Sequence, residues 1–182
     1  PVPYSMYIGG KDAYIAKIAG MFRAADVAAV ITSEDLREHI TAGAADAKVK
    51  LVYTHAELQA LPEAMVRLEG FSKDEVAYVQ YSSGSTSAPK GVLINQSAIM
   101  ANTNGMVRHG LKARPDDRAF SWLPLYHDMG LVGFCLAPMV AQVTVDYLAT
   151  TSFARRPAMW LRLMSENKCT ICSSPSFGYD LA

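Results

Sequence analysis

"VAYVQYSSGSTSAPKGVLIN", residues 76–95, places two short apolar runs on either side of a loop rich in serine and glycine. The runs at residues 76–81 and 91–94 have the length and composition of β-strands. Serine and glycine are also typical of flexible linkers, so the composition of the loop alone would favour a tether. A flexible tether between domains would not have a strand directly before it and another directly after it. We therefore predict a structured connection between two strands, called here the serine loop (residues 82–90).

Helix and strand patterns alternate in the residues before this stretch. Residues 11–25 place four apolar side chains on one helical face, namely Ile15, Ile18, Phe22 and Ala25. Residues 33–40 begin with the capping residue Ser33 and predict a second helix. Residues 27–32 are an apolar run typical of a strand covered on both faces, and residues 49–53 predict a second short apolar strand. The alternation predicts an α/β fold, with a layered, mostly parallel sheet and helices on both faces.

The same alternation continues after the stretch. Asn95 is a suitable cap for a helix over residues 96–109, which Gly110 would end. A buried helix is predicted over residues 129–140, and Pro157 can begin another that buries Trp160, Leu161 and Met164. Strands are predicted over residues 118–123, 143–148 and 169–173, whereas the polar residues 63–72 predict irregular structure.

The composition gives no electrostatic case for binding to nucleic acid or to an anionic membrane surface. Of the 182 residues 51% are hydrophobic, and 17 Lys and Arg residues balance 17 Asp and Glu residues. The longest apolar run, residues 131–143, is broken by Gly133, Pro138 and Gln142, so no membrane span is predicted. The first residues show no secretory signal pattern. We expect a cytoplasmic protein.

The three cysteines, Cys135, Cys169 and Cys172, lie in apolar surroundings. Their odd number suits reduced, buried thiols. Cys169 and Cys172 form a C-x-x-C pair, but no second pair or ligating histidine follows it. Buried strand positions are therefore favoured over the alternative of a metal or redox site.

The serine loop has the chemistry of an anion site. Gly84 and Gly91 permit a close backbone approach, and hydroxyl groups accompany the main-chain N–H groups at Ser82, Ser83, Ser85, Thr86 and Ser87. Lys90 supplies a positive charge. Because a hydrogen bond to a charged group is worth about 1.5–3 kcal/mol, several such donors would hold the phosphates of ATP. An ordinary serine-rich turn is the alternative interpretation.

The loop differs from a Walker loop. Pro89 stands where the pattern G-x-x-x-x-G-K-[ST] requires glycine, and Gly91 stands where it requires Ser or Thr. Pro89 also disfavours helical geometry at Ala88, so the loop leads into a strand and not into a helix. A phosphate site here is of another type.

Three segments together resemble one known family. "YSSGSTSAPKGV" resembles the phosphate-binding signature of the adenylate-forming superfamily, which includes acyl-CoA synthetases, adenylation domains and luciferases. "WLPLYHDMGLVG", residues 122–133, resembles a second core signature in the form seen in fatty acyl-AMP ligases. "FARRPAMWLRLMSENKCTICSSPSFGYDL", residues 153–181, is similar to their stretch leading to the acyl-binding region. Ser87 replaces a glycine of the general signature, a change compatible with the acyl-AMP ligase branch.

The resemblance implies that residues 1–182 are part of an AMP-binding (adenylation) domain, without the C-terminal subdomain. Its fold is then a portion of the large N-terminal domain of adenylate-forming enzymes. ATP and Mg²⁺ are the implied cofactors. The magnesium-binding glutamate, the adenine and ribose sites and the catalytic lysine of the family are expected after Ala182, so the chain alone is expected to be inactive.

The same resemblance assigns roles to the serine loop and to one histidine. Ser82, Ser83, Gly84, Ser85, Thr86, Lys90 and Gly91 would bind the nucleotide. His127 would lie where the acyl carboxylate meets the ATP phosphates, and Asp128 would orient that segment; no metal site is expected there. His39, His55 and His109 are interpreted as structural residues.

Apolar residues of the second and third motifs would line an acyl tunnel. The predicted set comprises Trp122, Met129, Phe134, Pro175, Phe177 and Tyr179, and Leu131 and Met139 are further candidates. Flexible methionines suit an adaptable pocket. Ordinary core packing is the alternative for each of these residues.

The implied function is ATP-dependent activation of a fatty acid to an acyl-adenylate, followed by transfer to an acyl carrier protein. A long-chain fatty acid–CoA ligase, with CoA as the acceptor, is the alternative within the family. A non-catalytic nucleotide- or acyl-binding module is the alternative from another class.

Overall fold

A computed structural model describes residues 10–81 and 90–182 of the chain. The chain divides after Ile94 into two compact units. Both contain helices and strands, and parallel pairing occurs in each unit. The prediction of an α/β fold with a mostly parallel sheet is confirmed.

The unit that ends at Ile94 alternates helices with strands. Its elements are α1 (Gly10–Ala24), β1 (Ala29–Thr32), a 3-10 turn (Glu34–Leu36), α2 (Arg37–Asp46), β2 (Leu51–Thr54), α3 (His55–Gln59), β3 (Val76–Tyr81) and β4 (Gly91–Asn95). β1 pairs with β2 in parallel, and β3 pairs with β4. The strands predicted on either side of the serine loop are thus confirmed. Residues 63–72 contain no helix or strand, as predicted.

The core of this unit lies between α1 and α2. Ile18 and Phe22, two residues of the predicted apolar face, are buried in it together with Tyr14, Ile40 and Ala44. A Cβ atom on Gly43 would lie 2.8 Å from Ile18 Cγ1. Glycine at this position therefore lets the two helices approach closely.

The two-sided burial predicted for the first strand is not observed, and the second strand is likewise covered on one face. Val30 and Val52 pack against the α1–α2 core, whereas Ile31 is 52% and Leu51 is 48% exposed. Successive side chains of a strand point to opposite faces. Within the described residues, these two positions lie on the face that α1 and α2 leave uncovered.

Helix starts in this unit follow capping chemistry, with one correction. Ser33 precedes the 3-10 turn as predicted, but its side chain makes no capping hydrogen bond. The sequence analysis missed α3, whose cap is Thr54. Glu57 N–H donates to Thr54 Oγ1 at 3.2 Å, and Thr54 N–H donates to Glu57 Oε2 at 2.9 Å. The T-x-x-E pattern of this capping box was the available signal.

The second unit runs from Asn95 to Ala182. Its elements are α4 (Gln96–Asn104), β5 (Arg118–Ser121), α5 (Asp128–Leu131), α6 (Ala137–Ala141), β6 (Thr144–Tyr147), α7 (Thr150–Arg155), α8 (Ala158–Glu166), β7 (Ile171–Cys172) and α9 (Ser176–Leu181). A π-helical turn at Gly105–Leu111 extends α4, and another at Val132–Leu136 joins α5 to α6. The strand order is β6-β5-β7, and all three strands are parallel.

Aromatic side chains dominate the core of the second unit. Trp160 is completely buried, and the core also contains Phe120, Trp122, Phe134 and Phe153. The Trp122 and Phe153 rings stack with centroids 3.7 Å apart, and the Trp160 ring meets Trp122 edge-on at 6.1 Å. The burial predicted for Leu161 is wrong, because this side chain is 46% exposed.

The predicted ends of α4 are half correct. Asn95 Oδ1 accepts a hydrogen bond from Ala98 N–H at 2.9 Å, so the predicted cap is confirmed. Gly110 does not end the helix. The π-helical turn continues to Leu111, and Lys112 ends it with a positive φ of 51°.

An ion pair joins β5 to β6. Arg118 donates to Asp146 from Nε at 2.8 Å and from Nη2 at 2.7 Å, and Asn167 Nδ2 donates to Asp146 at 3.0 Å. The Arg118 hydrogen bond is the main cause that lowers the pKa of Asp146 to about 2. Cys169 Sγ lies 3.4 Å from the same carboxylate, so the surroundings of Cys169 are more polar than its sequence neighbours suggest.

Asp146→Asn is expected to destabilise the full-length protein by about 1–2 kcal/mol at neutral pH, after allowance for solvent screening. The folded chain depresses the pKa of Asp146, so its stabilisation is complete above the ordinary aspartate pKa of about 3.9. It is lost as the pH falls toward 2. Denaturant unfolding should therefore show a gap between wild type and variant that narrows from pH 7 to pH 3. Asp116→Asn, at a carboxylate that is 83% exposed, is the control; a gap of constant size would contradict the assignment.

Among the described residues, no helix has both the length and the apolar character that crossing a bilayer requires. Among the same residues, no group of three or more His, Cys, Asp or Glu side chains is arranged to hold a metal ion.

Candidate functional site

The serine loop connects β3 to β4. Ser82, Ser83, Gly84, Ser85, Thr86 and Ser87, the residues predicted to surround the phosphates, lie outside the described residues. Lys90 is described; it is exposed and immediately precedes β4. An exposed lysine at this position is compatible with contact to an anionic ligand, and its role stays a prediction.

Gly91 has a packing function in addition to the predicted one. A Cβ atom here would lie 2.8 Å from Val79 Cγ1 and 3.4 Å from Tyr81 Cε1. Val79 and Tyr81 belong to β3, the pairing partner of β4. Glycine therefore lets the two strands flanking the serine loop pair closely. Its predicted contact with phosphate remains to be tested.

Five of the remaining predicted site residues lie in the segments that follow strands β5 and β7. Because these strands are parallel, the segments that follow β5 and β7 leave the sheet at the same edge. Trp122 and His127 follow β5, and Pro175, Phe177 and Tyr179 follow β7. Open parallel sheets bind ligands outside the carboxyl ends of their strands.

His127 is the N-cap of α5 and is held through one ring nitrogen. Its Nδ1 lies 2.7 Å from Asp128 Oδ1, and Met129 N–H lies 2.7 Å from Asp128 Oδ1 and 3.3 Å from Nδ1. Met129 N–H donates to Asp128 Oδ1 and, over the longer distance, to His127 Nδ1. A neutral imidazole whose Nδ1 accepts a hydrogen bond carries its proton on Nε2. Among the described residues these polar contacts use Nδ1, which leaves Nε2 for a ligand. The His127 side chain is 61% exposed.

Gly130 fixes the turn that presents His127. A Cβ atom on Gly130 would lie 2.3 Å from the carbonyl oxygen of Pro124 and 3.3 Å from that of Leu123. His127 N–H donates to the same Pro124 oxygen at 3.1 Å. The first turn of α5 therefore folds back on the preceding segment, an approach that only glycine allows.

Three of the predicted acyl-binding residues belong to one aromatic group. The ring centroids of Trp122 and Phe177 are 6.0 Å apart, and those of Trp160 and Tyr179 are 5.1 Å apart. Trp122 is buried, while Phe177 is 53% and Tyr179 is 52% exposed. We call Trp122, Phe177 and Tyr179 the aromatic wall. Their contact with an acyl chain stays a prediction.

Gly178 is a site residue that the sequence analysis missed. A Cβ atom at this position would lie 2.1 Å from Ser174 Oγ and 2.8 Å from Trp122 Cζ2. Glycine thus lets α9 lie directly against the Trp122 indole. The available signal was a small residue placed between two aromatic residues in "SPSFGYDL".

The other predicted acyl-binding residues are more dispersed. Phe134 is 4% exposed and packs in the aromatic core, so ordinary packing accounts for its burial. Met129 is 37% and Met139 is 65% exposed, while Leu131 and Pro175 are half-buried. Pro175 is the residue before α9. The role of each in binding stays a prediction.

Comparison with known proteins identifies the family of the chain. The sequence model of the AMP-binding enzyme family matches residues 12–181. A putative acyl-CoA synthetase of Caulobacter vibrioides (strain NA1000 / CB15N) is 42% identical over 181 residues, which are 100% of this chain and 31% of the relative. TtuA of Teredinibacter turnerae (strain ATCC 39867 / T7901), a medium-chain-fatty-acid–[acyl-carrier-protein] ligase, is 39% identical over 59% of this chain and 17% of its own length.

A solved structure supports the same family assignment. It comes from structural and functional studies of fatty acyl-adenylate ligases from E. coli and L. pneumophila, and it is similar to this chain with a TM-score of 0.93 and 44% sequence identity. The match covers 100% of this chain and 33% of the solved one. The chain thus spans about a third of the length of these relatives. The resemblance inferred from the three sequence motifs is confirmed, and this chain belongs to the family of AMP-binding enzymes.

Proposed function

We propose that the full-length protein is a fatty acyl-AMP ligase, which activates a fatty acid with ATP and passes the acyl group to an acyl carrier protein. The observation that carries this proposal is the similarity to a fatty acyl-adenylate ligase structure over the entire chain, with a TM-score of 0.93 and 44% identity. A cytoplasmic location is part of the same proposal.

The proposed reaction joins two anions. A carboxylate oxygen of the fatty acid forms a bond to the α-phosphorus of ATP, the bond from this phosphorus to the bridging oxygen breaks, and pyrophosphate leaves with the electron pair. The protein must align the two reactants and stabilise the charge that moves onto pyrophosphate. Ser82, Ser83, Gly84, Ser85, Thr86, Lys90 and Gly91 would hold the β and γ phosphates.

His127 would meet the incoming carboxylate through Nε2. Three features of this residue support the role: its exposure, its position after a parallel strand, and the hydrogen bond that Nδ1 accepts from Met129 N–H. The last of these leaves the proton of the neutral ring on Nε2, from which it can be donated to a carboxylate. An imidazole ring that is already held at one nitrogen loses little orientational freedom when its other nitrogen binds a ligand.

The aromatic wall would contact the acyl chain, with Met129, Phe134 and Pro175 as further lining residues. Phe177 presents exposed apolar surface beside the buried Trp122, and Tyr179 does so beside the buried Trp160. Burial of such surface contributes about 25 cal/mol per Å². An alkyl chain laid along it would therefore gain binding energy without needing a charged partner.

Mg²⁺ would accompany the phosphates of ATP and neutralise part of their charge. We propose that its protein ligand lies outside these 182 residues, in line with our proposal that residues 1–182 are part of an AMP-binding domain. The share of the relatives that the chain covers, 31% and 33%, supports this division.

The 182-residue chain by itself is expected to form no acyl-adenylate, because it would lack the remaining groups of the site. Exchange of labelled pyrophosphate into ATP should be absent for this chain and dependent on fatty acid for the full-length protein. Exchange by the isolated chain would contradict the proposal that further groups needed for the reaction lie outside these 182 residues. Lack of exchange by the full-length protein would favour a non-catalytic binding module.

The acceptor distinguishes the two enzymatic alternatives. Similarity to an acyl-carrier-protein ligase and Ser87 in the serine loop favour a carrier protein, whereas similarity to a putative acyl-CoA synthetase favours CoA. Full-length protein incubated with ATP, Mg²⁺ and a fatty acid would be offered each acceptor in turn. A carrier protein that gains the acyl mass, with no acyl-CoA formed, is the expected result; the reverse would identify a CoA ligase.

A further inference from the structure

The helix that begins after His127 contains a π-helical turn whose cause is visible in the sequence. Residues 128–141 are helical throughout, with Val132–Leu136 in π geometry. Ala137 N–H donates to the Val132 oxygen, five residues earlier instead of four. An α-helical hydrogen bond to the Phe134 oxygen would have to come from residue 138, which is Pro138 and has no N–H. The proline ring also crowds that carbonyl group, so α geometry is disfavoured at this point.

A side chain from β6 binds the carbonyl group that Pro138 leaves without an α-helical donor. The Tyr147 hydroxyl donates a hydrogen bond to the Phe134 oxygen. The residue as a whole is 53% exposed, but its hydroxyl is directed at the helix. Burial, and secondarily the nearby Cys135 thiol, raise the pKa of Tyr147, so the hydroxyl keeps its proton as a donor.

The π-helical turn determines where the start of the helix points. Conversion of one π turn to α geometry removes one residue from the turn, which rotates one end of the helix against the other by about 100° and shifts it by about 1.5 Å. His127 and Met129 lie at one end, and Pro138 lies toward the other. The register of the turn and the direction of His127 are therefore coupled through the backbone.

We propose that Tyr147 is a positioning residue, which together with Pro138 holds this π-helical turn and thereby sets the orientation of His127. Two observations converge on this role: a proline that forbids the α-helical bond, and a tyrosine hydroxyl that satisfies the same carbonyl. The effect on catalysis rests on the function proposed above, whereas the coupling between Tyr147 and Pro138 does not.

Four full-length proteins test the proposal: wild type, Tyr147→Phe, Pro138→Ala and the double variant. For each, the unfolding midpoint is measured, together with kcat and KM for ATP in fatty-acid-dependent pyrophosphate release. Tyr147→Phe is expected to lower the midpoint by about 1–2 °C, because the unfolding entropy of a protein about three times as long as this chain makes each shift small. It should lower kcat roughly tenfold, the size of a misplaced catalytic group, with little change in KM for ATP.

The double variant separates positioning from stability. The N–H of alanine at position 138 can bind the Phe134 oxygen, so loss of the Tyr147 hydroxyl should lower the midpoint less in this background than in the wild type. The helix is then free to adopt α geometry, and kcat should fall further, to roughly 100-fold below wild type. Compared with Tyr147→Phe, the double variant should therefore regain stability while its kcat falls further.

Each other outcome has a definite meaning. A kcat that recovers together with the midpoint would show that the hydroxyl only stabilises the fold, and would overturn the positioning role. Midpoint changes that simply add would overturn the coupling between Tyr147 and Pro138. A wild type that releases no pyrophosphate would contradict the proposed function, while the four midpoints would still decide whether this coupling exists.

Discussion

His127→Ala in the full-length protein is expected to lower kcat for acyl-adenylate formation by about 10²- to 10³-fold, the range observed when a positioned polar group is removed from a reacting centre. KM for ATP should change little, because the phosphates would be held by the serine loop. The physical basis is the geometry of the ring: Nδ1 accepts a hydrogen bond from Met129 N–H at 3.3 Å, so the neutral ring carries its proton on Nε2, which would donate it to the carboxylate in the proposed function. Pyrophosphate release under saturating ATP measures the effect.

Two further variants make the His127 result specific. His109→Ala removes an exposed histidine from the π-helical turn that extends α4, and it should leave turnover unchanged. Asp128→Asn keeps the shape of the segment but removes the negative charge that lies 2.7 Å from Nδ1, so an intermediate loss of roughly tenfold is expected. Equal turnover of His127→Ala and wild type would remove the role assigned to this residue.

Lys90→Ala is expected to lower kcat/KM for ATP by roughly 10- to 100-fold, the equivalent of one or two lost hydrogen bonds to a charged group. The affinity for the fatty acid should stay close to that of wild type, because this lysine would contact only the phosphates. Initial rates at varied ATP and fixed fatty acid measure the change. The effect would follow from charge, so Lys90→Arg should retain more activity than Lys90→Ala.

An exposed lysine elsewhere provides the control for this experiment. Lys73 lies in the segment before β3 and is exposed, and Lys73→Ala should behave as wild type. If Lys90→Ala retains normal affinity for ATP and normal turnover, the serine loop does not use its lysine for phosphate binding, and the interpretation of the first motif must change.

Elements with a clear hydrophobic period were predictable. The apolar spacing of Ile18 and Phe22 indicated α1, and both side chains are buried. The apolar runs on either side of the serine loop indicated β3 and β4, which pair as strands. In these elements the local pattern and the tertiary packing require the same structure.

Short elements were not predictable from the same pattern. α7 and α9 contain 6 residues each, which is too short for a helical period to emerge. The π-helical turn at Val132–Leu136 depends on a contact between Pro138, the Phe134 carbonyl and Tyr147, and only the fold brings Tyr147 to that position. The requirement for glycine at position 178 likewise depends on Trp122, a neighbour in space that is distant in sequence.

The candidate site was indicated by motifs and not by periodicity. His127 was selected because it falls within "WLPLYHDMGLVG", and its position after a parallel strand agrees with that choice. No count of apolar residues would separate the exposed Phe177 from the buried Trp160. Trp160 packs inside the aromatic core with Trp122 and Phe153, whereas Phe177 contacts Trp122 alone of these rings and stays exposed.

Mass spectrometry of the full-length protein with ATP, Mg²⁺ and a panel of fatty acids tests the central claim most directly. The proposed function predicts a species with the mass of the acyl-adenylate, which forms only when fatty acid is present and in equal amount with pyrophosphate. Lys90→Ala and His127→Ala should form it more slowly from the same reactants. A folded full-length protein that binds ATP yet forms no adenylate with any member of the panel would contradict the claim.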